Sequence, residues 1–107
     1  MMTPTEIRDY ESKNGAKATR NLLELGGPDW FDGDYSTTLF LLEQMEMDEK
    51  DITQKQKQQQ YAESTMWKAI WAYQVGVSMG RISKCREMLE QLEMGYQDRV
   101  KMGLHYV

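Results

Sequence analysis

Cysteine is almost absent from this sequence: Cys85 stands alone, so the chain cannot close a disulfide on itself. No basic and apolar leader opens it, and with a lone thiol the expected setting is the reducing cytoplasm. Histidine is equally scarce. His105 and Cys85 together cannot supply a zinc set or a His-paired nucleophile, and Gly26-Gly27-Pro28 has neither the spacing nor the lysine of a phosphate loop. These absences predict a protein that is not an enzyme and that holds no cofactor and no metal. There is also no long apolar run. The nearest, residues 66–80, is short and carries Lys68 and Gln74, which excludes a membrane-spanning helix. Basic residues are outnumbered 13 to 17, giving a net charge of −4, so direct binding in the grooves of duplex DNA is not expected. Two prolines and no Pro/Ser/Gly-rich stretch leave no linker, and residues 1–107 read as one domain.

What is present is helical periodicity. Thr3-Pro4-Thr5-Glu6 is a helix start, with Thr3 as cap and Pro4 at the first position, where a missing N–H costs nothing. Helix is predicted over residues 4–25, in one piece or in two divided at Asn14-Gly15, and Gly26-Gly27-Pro28 stops it. Residues 26–35 form an aromatic and acidic loop. Asp34 or Ser36 caps a second helix, whose buried side is Thr38, Leu41, Leu42, Met45 and Ile52, with a short interruption expected at residues 48–51. Residues 54–60, all Gln and Lys, are expected to be helical. Met66, Ile70, Tyr73, Val77 and Gly80 form one stripe, and Ile82, Cys85, Leu89, Leu92 and Tyr96 a second that ends before Gly103. The two stripes are out of phase, which predicts a kink or stutter near Gly80, or else a turn there. The expected fold is all-α: a small helical bundle with a long, kinked C-terminal helical region (about 52–102) packed by one or two shorter N-terminal helices.

Three groups of residues are candidates for binding. Nine acids between Glu24 and Asp51 face only Lys50, a local charge of −8 (nine minus one). Such a segment suits a protein partner with a basic surface, and Asp29, Asp32, Asp34, Glu43 and Glu46 would make the charge contacts around the aromatic anchors Trp30, Phe31 and Tyr35. The alternative is a solvated face with acids near helix starts. Asp32, Asp34, Ser36 and Glu43 have part of the spacing of a calcium loop, but Thr37 stands where that loop needs glycine, so helix capping is the better account. A second group, Lys13, Lys17 and Arg20 with Arg81 and Lys84, could hold the phosphates of an anionic nucleotide or simply pair with the acidic segment. The third lies in residues 64–80, where only Lys68 is charged. Trp67, Trp71 and Val75 point away from the stripe of Met66, Ile70, Tyr73 and Val77, and Leu89 and Leu92 lie on the later seam. A chain this short buries only about two-thirds of its unfolded surface, so more apolar directions than one core can absorb predict a homo-oligomer, a dimer first of all, through Trp67, Trp71, Val75, Leu89 and Leu92.

A short, acidic, helical chain without catalytic residues resembles in format the phage-encoded inhibitors of host defence enzymes, anti-CRISPR proteins among them. The resemblance covers no motif and assigns no residue a role. It implies a viral protein acting in the host cytoplasm as a stoichiometric inhibitor of a nucleic-acid-handling or defence enzyme, by occlusion. An oligomeric protein that sequesters an anionic nucleotide and a structural assembly subunit are the alternative expectations.

Overall fold

The computed structural model describes residues 1–103, and among them there are three α-helices: α1 (Pro4–Gly26), α2 (Tyr35–Tyr61) and α3 (Thr65–Lys101). His105 lies outside the described residues. The all-α expectation holds, and so does the long C-terminal helix.

Helix α1 starts as expected. Thr3 accepts from the Glu6 amide, Pro4 opens the first turn, and the Gly27 N–H closes the far end onto the Leu23 carbonyl. Its middle is broken at Gly15, whose backbone (φ 85, ψ 168) is outside the helical region. Only glycine takes that conformation without strain. The break is a reversal rather than a bend. A straight helix of 23 residues would hold its ends roughly 35 Å apart, yet the Met2 amide donates to the Trp30 carbonyl and the Asp32 amide to the Met2 carbonyl, each at 2.9 Å. The chain before α1 thus touches the chain just after it. The two halves form a short helical hairpin, of about 15 Å each at helical rise.

Helices α2 and α3 form a second, much longer hairpin. Residues 62–64 turn the chain: Ala62 is extended (φ −68, ψ 130), and the Ser64 hydroxyl accepts from the Trp67 amide to start α3. This turn corrects the expected continuous region from about 52 onward. It falls between Tyr61 and Thr65, where no Gly or Pro marks it. The expected interruption at residues 48–51 is absent, because α2 runs through it and the i to i+4 pairs Glu46–Lys50 and Asp51–Lys55 strengthen that stretch. Residues 54–60 are helical, as predicted.

The kink at Gly80 is also absent. Helix α3 is continuous, and its inward seam is Trp71, Val75, Ser78, Ile82, Cys85, Leu89, Leu92 and Tyr96, alternating by four and three residues throughout and buried or half-buried at every position. There is no change of phase. The seam keeps its 3.5-residue period through Ser78, a polar residue that is fully buried because its hydroxyl donates to Asp51 at 2.8 Å and accepts from Lys55 at 3.4 Å.

The short hairpin covers only one end of the long one. There Ile7, Ala16 and Leu23 of α1 join Phe31, Leu41, Leu42, Met45, Ile82 and Leu89 in a single core. Between residues 47 and 81 only Val75 and Ser78 are buried. The molecule measures 59 × 25 × 20 Å, with a core shared by four helical segments at one end and a bare two-helix arm at the other.

Candidate protein-binding surface

Charge ties the four helical segments together. Glu11, 2% exposed, accepts from Arg86 of α3 at 3.0 Å, and buried Glu93 of α3 meets Arg8 at 2.8 Å and accepts from Thr5 at 3.1 Å. Buried Glu46 of α2 is paired with Arg20 of α1 and lies 3.4 Å from Lys50. The Arg20 hydrogen bond holds the Glu46 carboxyl below its ordinary range despite burial, and the same bond raises the Arg20 guanidinium. Asp51 is likewise lowered, first by Lys55 at 2.6 Å and then by Ser78. Each carboxylate joins elements that the backbone alone would leave free to slide.

The acidic segment is largely consumed by this lattice. Glu24 pairs with Arg20 at 3.0 Å, Asp48 faces Arg81 at 3.8 Å, Asp34 caps α2 through the Thr37 amide, and Asp32 accepts from the Tyr96 hydroxyl at 3.0 Å. Capping is thus what Asp34 does, as the reading against a calcium loop required. Burial, and then the bond to Asp32, pushes the Tyr96 phenol up. Asp29, Glu43 and Glu49 make no ion pair among the described residues. Of the expected aromatic anchors, Phe31 is in the core, Tyr35 packs against it, and Trp30 lies over Gly26, where an added Cβ would fall 2.0 Å from the indole. The loop is therefore spent on the chain's own packing, and Phe31 cannot anchor a partner.

The basic residues do not converge on a phosphate site either. Arg20 and Arg81 are taken by acids, and Lys84 lies 3.5 Å from Glu87. Lys13 and Lys17 are exposed, and Lys17 borders a shallow depression of about 390 Å³ whose walls include Glu46 and Glu49 as well as Lys50 and Lys57. Arg81 borders a different one, beside Asp48 and Asp51. Cys85 sits half-buried on the seam, and burial, then the nearby Asp48, raises its thiol.

The arm inverts the two apolar directions read from the sequence. Trp71 and Val75 face inward, while Met66, Ile70 and Tyr73 face outward with 66%, 38% and 71% of their surface exposed. Val75 and Leu89 are buried within the chain and Leu92 packs on its core, so none of the three is free to contact a second chain; Trp67 alone of that group stays half exposed, beside the 62–64 turn. The cause is the register of the seam. Ser78 holds an inward position that a purely apolar pattern skips, and with it Met66, Ile70, Tyr73 and Gly80 of the outer stripe are left without cover, with Val77 half-buried at its edge. Gly76 and Gly80 open onto empty space, with no atom within 4 Å of an added Cβ.

No described helix is long and apolar enough to cross a membrane, and no group of three or more His, Cys, Asp or Glu among the described residues could hold a metal ion. No family model matches the chain, and no curated protein and no solved structure matches it.

Proposed function

We propose that this chain is a non-catalytic binding protein that works mole for mole through the outer face of the α3 arm. The observation that carries the reading is the exposure of Met66, Ile70 and Tyr73 side by side on a rigid helix. Contiguous exposed apolar surface of this kind marks interaction sites in folded proteins, and aromatic residues on a fixed helix face supply contact area at little entropic cost. Mole-for-mole contact of this type is how an occluding inhibitor works, and equally how an assembly subunit works. Both belong to the reading, while the acidic segment, four of whose nine acids are ion-paired by Arg20, Lys50, Arg81 and Lys55, contributes orientation at its unpaired acids.

The test compares two surfaces in cells. Tyr73→Glu and the triple variant Asp29→Lys, Glu43→Lys, Glu49→Lys, at the acids without an ion pair, are expressed in parallel with wild type, and chemically cross-linked complexes that contain the chain are counted by mass. Loss of the complexes in Tyr73→Glu with retention in the triple variant is the expected result. The reverse pattern would move the contact to the acidic segment and overturn the assignment to the arm.

A further inference from the structure

The geometry points to a second copy of this chain as the occupant of the outer α3 face, in an antiparallel pairing with Tyr73 on the two-fold axis. This deepens the binding reading above by naming the partner, and it rests on that reading.

The face is self-complementary in one register. Counting outward from Tyr73, Met66 and Gly80 lie seven positions away on opposite sides, Ala69 and Val77 four, and Ile70 and Gly76 three. In an antiparallel pair about that centre, residues equally distant from it share a layer. Each layer off the axis then sets a larger residue beside a smaller one: Met66 beside the second copy's glycine at position 80, Ile70 beside the one at 76, Val77 beside alanine. The space above both glycines is open, so the larger side chains have somewhere to go. The spacing of these positions, again by threes and fours, is that of a coiled-coil seam on the back of α3.

Charge agrees with the register. Lys68, the one charged residue in this stretch, lies roughly 140° round the helix from Tyr73 at 100° per residue and stays out of the contact. Just beyond the apolar layers, exposed Lys84 comes level with residues 62–63 of the second copy, where Glu63 is exposed. The two-fold axis makes this pairing twice. Level with residue 81 the second copy's α3 begins at Thr65, so the helix overlap ends there, and the polar links of α1 to α3 run through Arg86 and Glu93, outside the face.

The area is small. The exposed parts of Met66, Ile70 and Tyr73 with the small residues between them offer at most roughly 600 Å² per copy, about 1,200 Å² in all when fully covered, the lower limit of specific interfaces. A reversible dimer follows, of moderate rather than extreme affinity.

Sedimentation equilibrium of the purified full chain tests this, with wild type, Tyr73→Glu, Tyr73→Cys and Lys84→Cys. Wild type should show a concentration-dependent mass rising to twice 12.6 kDa. Tyr73→Glu, which places two carboxylates together on the axis, should weaken association at least about a hundredfold at unchanged helical content. Under mild oxidation Tyr73→Cys should give a covalent dimer, while Lys84→Cys and wild type, with Cys85 turned to the seam, should not. Should Tyr73→Glu lose helix, Gly76→Gln, which fills the cleft beside Ile70 without charge, carries the same expectation. A wild-type chain that stays monomeric overturns the second copy but leaves the binding reading to the cellular test. A dimer that survives Tyr73→Glu or Gly76→Gln overturns the face.

Discussion

Arg20 and Glu46 show at the scale of single residues how this small protein uses charge where its core is thin. Glu46 is 7% exposed and would be costly to bury alone, and Arg20 from α1 meets it there. Arg20→Ala is expected to lower stability through the loss of a charged hydrogen bond, with Lys50 left as a weaker partner, read as a lower midpoint in denaturant titration. The acid side follows with a definite sign. Glu46 and Asp51 have folded-state carboxyls below their ordinary values, so the unfolded chain binds more protons in the window between the two, and stability rises with pH through it. The stabilisation is fully present above about pH 5 and is lost as pH falls through the folded values. Glu46→Gln should therefore flatten the fall in melting temperature between neutral and acid pH. A variant that melts with the wild-type pH dependence would show that the pair contributes nothing to it.

The two glycine classes make opposite predictions at the scale of elements. Gly15 reverses α1 at φ 85, and Gly15→Ala should cost about 1–2 kcal/mol in strain. Gly80 is helical with open space above it, so Gly80→Ala should stabilise the single chain by about 0.5–1 kcal/mol, measured by thermal melting at low concentration. On α3 the seam and the outer face separate in the same way: Leu89→Ala should cost about 2–5 kcal/mol and Tyr73→Ala less than about 0.5 kcal/mol. Much of this architecture was legible in the sequence. Thr3-Pro4, Gly15, Gly26-Gly27-Pro28 and the buried side of α2 are all signalled by local chemistry. The turn at 62–64 was not, because its one marker, the Ser64 cap, follows a Gln-rich stretch with no apolar period to end. The inward face of the arm was misread because Ser78 is polar. Its burial depends on Asp51 and Lys55, which are far from it in sequence, and a pattern of apolar residues alone then selects Met66, Ile70 and Tyr73 instead.

For the whole molecule the decisive fact is a mismatch of lengths. A short hairpin covers one end of a long one, and the uncovered end keeps Met66, Ile70 and Tyr73 on the side of α3 away from α2. The charge segregation that suggested a sticky acidic segment is partly balanced within the fold, since Arg20, Arg81 and Lys55 each answer an acid of that segment and Asp32 and Asp34 are tied up by hydrogen bonds. That left the arm, rather than the loop, as the surface with unspent contact area, something no count of charges along the chain can reveal.

Hydroxyl-radical footprinting of methionine and tyrosine across a concentration series tests this account most directly, because the chain carries its own controls. Met66 and Tyr73 on the outer face are 66% and 71% exposed, while Met47 on α2 and Met94 farther along α3 are 63% and 65% exposed. The account predicts that all four react readily in dilute solution, and that Met66 and Tyr73 alone become protected as concentration rises, with Met45 in the core unreactive throughout. Equal reactivity of Met66, Met47 and Met94 at every concentration would contradict it.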